Sequence, residues 1–311
     1  MFICLNIVYL KNSINQKSFI MNKNSLPKVI LSMFLTGLFL LSCSSDDDPA
    51  APTISLSESN MDVIAEVNYS VDVSYTADAT PSSISVTKYV DGVAMGTPNT
   101  LPATASEGTF PFSFMVDVDD SDAGIVKYNF TILDNDGQAA QTELVLNIEL
   151  TKMQLLLKYD WLLTDEIRLK TGESDINPVY KDDVYRFNAD GTYQKSIGAL
   201  ADDFSDAWYK HCEWDFDEVT GVLKLHRTGA FTDETYDVMT ITEIDKNEFK
   251  ANITYLNLDV FDPTYDPSED YVKVMATQAK GNSFDPYLPG PDDDIEGPST
   301  TPCNVSDFEN N

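Results

Sequence analysis

Histidine is nearly missing from this 311-residue chain, which holds only His211 and His226. Cysteine is scarce, at positions 4, 43, 212 and 303, and basic residues number 20 against 51 acidic ones. Each shortage closes off a class of function. There is no G-x-S-x-G, no H-E-x-x-H and no P-loop spacing, so the compact signatures of serine hydrolases, zinc proteases and nucleotide enzymes are missing. A formal charge of −31 excludes nucleic acid as a partner, because phosphate contacts are made by Lys and Arg. Composition permits paired acids of the glycosidase kind, but 51 carboxylates meet by chance, and no pair stands out. No metal or other cofactor is implied. The reading is of a non-catalytic protein.

A long hydrophobic run is missing too. Residues 29–41 form an uncharged apolar stretch of 13, short of the roughly 20 that a membrane-spanning helix needs. The stretch fits the core of a signal peptide, with Lys23 and Lys28 as its positive flank. Met21 gives such a signal an ordinary length, so residues 1–20 read as a misplaced start. Leu40-Leu41-Ser42-Cys43 closes the run and resembles the lipobox of bacterial lipoproteins. That resemblance implies cleavage before Cys43 and a palmitate-bearing diacylglyceryl anchor on its sulfur. Two or more acyl chains hold a membrane stably where one does not.

Ser44, Ser45, Asp46, Asp47 and Asp48 follow directly. They resemble the acidic export signal of surface lipoproteins in Bacteroidetes; the same residues also make a plain solvated tether. The expected location is the outer membrane, lipid-anchored and facing the exterior. Residues 1–42 carry four Lys and no acid, so 20 less 4 leaves 16 basic residues against 51 acidic, a mature charge of −35.

Beyond the tether, residues 43–52, short alternating runs of Val, Ile, Thr, Tyr and Phe are broken by Gly, Pro, Asn and Asp. That pattern belongs to sandwiches and barrels, so the fold class is all-β. Residues 53–150 offer seven strands, at 53–57, 62–67, 70–76, 83–90, 110–118, 125–133 and 142–150. Tyr89-Val90-Asp91-Gly92-Val93 predicts a tight hairpin, since a type I′ turn needs positive φ at Asp-Gly. The Tyr128-Asn129-Phe130-Thr131-Ile132 strand, the turn Asp134-Asn135-Asp136-Gly137 and the final strand Leu144–Leu150 resemble immunoglobulin-like domains of the PKD and cadherin-like kind. The resemblance implies a β-sandwich.

Residues 151–280 offer a helical turn at 152–157 and eight strands, at 157–164, 180–188, 191–197, 208–217, 221–228, 234–242, 247–256 and 269–277. Eight strands in meander order predict an up-and-down barrel. Three features resemble the lipocalin-like domains of Bacteroidetes lipoproteins: Leu155-Leu156-Leu157 ahead of Trp161, the hairpin Phe187-Asn188-Ala189-Asp190-Gly191-Thr192, and Trp214 ahead of Leu223-Lys224-Leu225. One place departs from that family, with Tyr159 where Gly is usual two positions before the Trp. Residues 281–311 are rich in Pro, Asp and Ser and read as a flexible tail.

Few residues invite a specific role. Cys212 and Cys303 are the mature thiols left beside Cys43. In an oxidising compartment they either pair, or Cys212 stays a small buried apolar residue and Cys303 stays loose. Cys212 shares the parity of Trp214 and Phe216, which predicts a core-facing side chain. His211 and His226 take the opposite parity from the apolar residues and are expected on the solvated face. Asp117–Asp122 and Asp134–Asp136 are oxygen-rich, either as calcium ligands or as ordinary turn chemistry. Trp208 and Tyr209, near a strand end, are the candidate ligand contacts. The expected function is binding of a small apolar ligand or a glycan by the barrel. The alternative is an accessory subunit of an envelope protein complex with a filled barrel.

Overall fold

A computed structural model describes residues 50–200, 209–229, 235–253, 271–281 and 284–286. Eight strands come first: β1 (Thr53–Leu56), β2 (Asn60–Ile64), β3 (Tyr69–Thr76), β4 (Ser83–Val90), β5 (Val93–Leu101), β6 (Glu107–Phe114), β7 (Val126–Leu133) and β8 (Ala139–Glu149). They build two sheets in the orders β1-β3-β6 and β2-β8-β7-β4-β5. All pairings are antiparallel except β2 with β8, which run parallel. Alternation explains the layering. Val71, Val73 and Tyr75 of β3 face Ile84 and Val86 of β4 and Val126, Tyr128, Phe130 and Ile132 of β7, and all are buried. Phe112 meets Phe130 edge-on with ring centroids 5.1 Å apart. Asp91 (φ 50°) and Gly92 (φ 81°) make the expected tight hairpin. This is an immunoglobulin-like sandwich.

The sandwich has one strand more than the seven read from the sequence. β5 is an edge strand, exposed at nearly every position, so it shows no buried alternation. Gly96 and Pro98 interrupt it further, as suits an edge that must not pair with another chain.

The second body opens with α1 (Lys152–Lys158), whose Thr151 and Gln154 form a reciprocal capping box. Then come β9 (Tyr159–Arg168), β10 (Val184–Phe187), β11 (Tyr193–Ser196), β12 (Tyr209–Asp217), β13 (Val222–Gly229), β14 (Thr235–Ile244), β15 (Glu248–Ile253) and β16 (Tyr271–Ala279). All pair antiparallel in the order β11-β10-β9-β16-β15-β14-β13-β12. A bridge from Thr192 to Glu213, with Trp214 N–H donating to Gly191 O at 2.8 Å, brings the two edges together. The result is a nearly closed eight-stranded barrel.

One end of the barrel is plugged. Trp161 is fully buried, donates through Nε1 to Leu156 O, and meets Phe249 edge-on at 5.2 Å. Phe187, Phe216, Leu223 and Ile241 fill the same half. Tyr159, two positions before Trp161, has a visible role: its hydroxyl donates to Asp122 of the sandwich at 2.9 Å.

The acidic segment Asp117–Asp122 is thereby explained. Its carboxylates face cations of this chain. Lys158 lies 3.1 Å from Asp119 and 3.0 Å from Asp122, while Lys88 holds Asp120. Lys246 donates to Ser121 O. Burial opposes ionisation of Asp122, but Lys158 and Tyr159 hold its carboxyl below the usual range. In the other acidic loop, Asp134 Oδ1 accepts from the backbone of Asp136 and Gln138 at 2.9 and 2.8 Å, as turn chemistry requires.

Candidate functional site

Inward-facing positions change character along the barrel axis. Beyond the layer of Leu163, Tyr193, Leu225, Met239 and Met275, the same strand faces carry charge. On β16 the inward residue after Met275 is Lys273, opposite Glu166 of β9. On β13 it is Arg227 after Leu225, and on β14 it is Asp237 beside Met239. On β11 it is Lys195, paired in register with Tyr185. Three ion pairs result: Lys195–Asp183 at 2.6 Å, Arg227–Asp237 at 3.1 Å and Lys273–Glu166 at 3.2 Å. Asp183 is fully buried and Lys195 nearly so. Lys195 also stands over the rings of Tyr180 and Tyr185, at 5.2 and 5.8 Å.

Buried charge is expensive, so a charged layer inside a barrel calls for a reason. The sequence carries a signal for it that hydrophobic alternation alone does not register. Lys195, Arg227, Asp237 and Lys273 all have core parity, and a charge at core parity marks either a site or a structural pair.

His211 belongs to this layer, against the expectation of a solvated position. Its ring meets buried Tyr193 edge-on at 5.3 Å. The reason is a β-bulge: between His211 and Trp214 the register with β13 shifts by one residue. Two residues of β12 thus oppose one of β13, and His211 regains the side of Trp214. Its Nδ1 is buried and makes no hydrogen bond among the described residues. Burial, Lys195 and Arg227 together push the imidazole well below its ordinary 6.5. Tyr193 is driven the other way, with burial the largest cause and Asp237 adding to it.

The sign for stability follows. Below pH 6.5 the unfolded chain protonates His211 and the folded chain does not. Stability is therefore expected to fall as pH drops below that value, by up to about 1.4 kcal/mol per unit. Above it His211 contributes no slope. Urea unfolding between about pH 7.5 and 5 should show a shallower acid limb for His211→Gln than for the native chain. Identical slopes would place the imidazole in water.

The bulge also redirects Cys212. Cys212 and Glu213 occupy the extra position and gather with His226, their ligand-type atoms within 4.8 Å of one another. Cys212 is buried but lies outside the barrel's apolar cluster, so its expected core-facing orientation is corrected. His226 is corrected as well: it is fully buried, with Nδ1 2.7 Å from Glu213 Oε2. Cys212 is disulfide-bonded. Its partner lies outside the described residues, as do Cys43, Ser44, Ser45, Asp46, Asp47, Asp48, Trp208 and Cys303. Tyr209 is described only as the first backbone position of β12. After β16, Phe284 lies 4.0 Å over the Arg186 guanidinium, which also binds Asp160 through two bonds of 2.7 and 2.8 Å. At least the start of the tail is therefore held against the barrel.

No family model matches the chain, and no curated protein matches it. Among solved structures it is similar to the CARDB domain of the PF1109 protein from Pyrococcus furiosus, in complex with di-metal ions. The identity is 17%, the TM-score 0.21, and the match covers 32% of this chain and 96% of that one. At that score the likeness supports no argument. The class rests on the sheets: an all-β chain with an immunoglobulin-like sandwich followed by a nearly closed eight-stranded barrel.

Proposed function

We propose that this is a lipoprotein anchored through Cys43 on the outer membrane, facing the exterior, with a non-catalytic binding barrel. The sandwich acts as a spacer, and Cys303 is the disulfide partner of Cys212. Ser44 to Asp48 form the acidic export signal or tether. The lipobox Leu40-Leu41-Ser42-Cys43 and the lipocalin-like pattern of the barrel support this reading. One observation carries the binding function: two buried ion pairs and a half-buried third, the rings of Tyr180, Tyr185 and Tyr193, and a neutral histidine converge at the end of the barrel opposite the Trp161 plug.

Of the two expected ligand classes, the layer favours the polar one. An apolar molecule set against Lys195, Asp183 and Glu166 would strip their water and return no hydrogen bonds. The apolar half is already occupied by Trp161, Phe187, Phe216 and Phe249. The second reading, an accessory subunit with a filled barrel, draws on that same packing and on the pairing of all six charges.

A thermal-shift panel separates the two readings. The mature chain is screened against saccharides and apolar dyes, beside a His211→Leu variant whose fold is checked by circular dichroism. Binding to the native chain that the variant loses supports a ligand site. An unresponsive native chain supports the filled barrel.

A further inference from the structure

The ligand itself can be narrowed by charge and by one unsatisfied atom. Within the layer, Lys195, Arg227 and Lys273 face the carboxylates of Asp183, Asp237 and Glu166 in turn. His211 is held neutral by its burial and by the two nearest cations. The described interior therefore sums to no net charge, inside a protein whose mature formal charge is strongly negative. An anion would meet the negative field outside and find each of these cations already facing a carboxylate. A cation would be drawn from outside but would find every described acid already paired.

Nδ1 of His211 is a polar atom of this layer that no described residue bonds. It is buried and sits beside the buried ring of Tyr193. Buried polar atoms are nearly always bonded, and one left open costs about 1–3 kcal/mol. A neutral imidazole nitrogen accepts or donates according to its tautomer, so it suits a hydroxyl, which does both. A hydroxyl-rich molecule can also accept from Lys195 and Arg227 and donate to Asp183 and Asp237 without changing their charge. Tyrosine rings beside these groups provide flat apolar surface for the carbon face of a sugar ring.

We infer that the charged end of the barrel takes an uncharged saccharide, with one ligand hydroxyl bonded to Nδ1 of His211. This rests on the binding reading proposed above and goes further in naming the ligand's charge and its anchoring atom. His211 is a binding residue here and performs no chemistry. The groups around it are Tyr193 and Lys195 on β11, Arg227 on β13 and Asp237 on β14, with Asp183 and the Lys273–Glu166 pair across the layer. Because the imidazole stays neutral through the ordinary histidine range, affinity is expected to stay flat as pH passes 6.5.

The test is titration calorimetry on the mature chain with defined probes. They are uncharged glucan, mannan and xylan oligosaccharides, an oligogalacturonate, a glucosamine oligomer and anilinonaphthalene sulfonate. An uncharged oligosaccharide is expected to bind most tightly. His211→Leu should weaken it by at least about tenfold, His211→Gln should recover part of that loss, and His226→Gln should change nothing. Circular dichroism confirms that each variant is folded. Tighter binding of the acidic or basic oligomer overturns the inference and leaves a binding barrel standing. Binding of the dye alone overturns it in favour of an apolar site. Native affinity in His211→Leu removes the anchoring role. If no probe binds, the binding reading and this inference fall together.

Discussion

Lys195→Met is expected to destabilise the barrel by about 3–5 kcal/mol, as befits removing one partner of a buried ion pair. The Lys195 and Asp183 side chains are 10% and 1% exposed and their charged atoms lie 2.6 Å apart. Without the ammonium group, the Asp183 carboxyl is left in a place with little water to solvate a charge. Methionine fills much of the lysine stem's volume, so the cost is electrostatic rather than a cavity. The loss of cation contacts over Tyr180 and Tyr185 adds to it. Adding Asp183→Leu should restore most of the loss, because an apolar pair in place of a buried ionic pair is often neutral or stabilising. Urea unfolding of the single and double variants, with the m-value checked for constancy, measures both. A single-variant cost under about 1 kcal/mol is the range of a solvated pair and would contradict a desolvated charged layer.

The second large effect concerns the membrane. Cys43→Ala should move the protein from the membrane fraction to the soluble fraction, or leave it unprocessed. The lipid on Cys43 is the proposed anchor, and the described residues contain no helix long and apolar enough to span a bilayer. Labelled palmitate should enter the native protein and not the variant. Palmitate still entering Cys43→Ala would reject the lipobox assignment. Replacing Asp46, Asp47 and Asp48 by Ala should lower protease accessibility on intact cells; unchanged accessibility would reduce them to a tether.

The two sheets of the sandwich and the meander of the barrel were legible because half-buried strands must alternate. Val71-Asp72-Val73 and Phe249-Lys250-Ala251 do so without interruption. Asp91-Gly92 and Asp190-Gly191 mark their hairpins because the backbone there needs positive φ, which Gly adopts freely. β5 escaped notice because exposure on both faces leaves no pattern to read. The bulge in β12 escaped for a different reason. An extra residue leaves no mark of its own in a sequence, yet it reverses the parity of everything before it. His211 was therefore placed outside and Cys212 inside, and both assignments were inverted. The charged layer was readable in principle. Lys273 between Tyr271 and Met275, and Arg227 two after Leu225, are charges on a core face. Hydrophobic pattern counts them as noise, whereas burial makes them the costliest groups in the barrel.

The binding claim is tested most directly by the nitrogen resonances of the two imidazoles. His211 and His226 are the chain's only histidines, so a long-range proton–nitrogen spectrum holds two ring systems. One lies in the charged layer and the other beside Glu213, outside the apolar cluster. Adding an uncharged oligosaccharide is expected to shift Nδ1 of His211 and leave His226 in place. A His211 signal that stays fixed with every saccharide and dye offered would contradict a ligand site in the barrel.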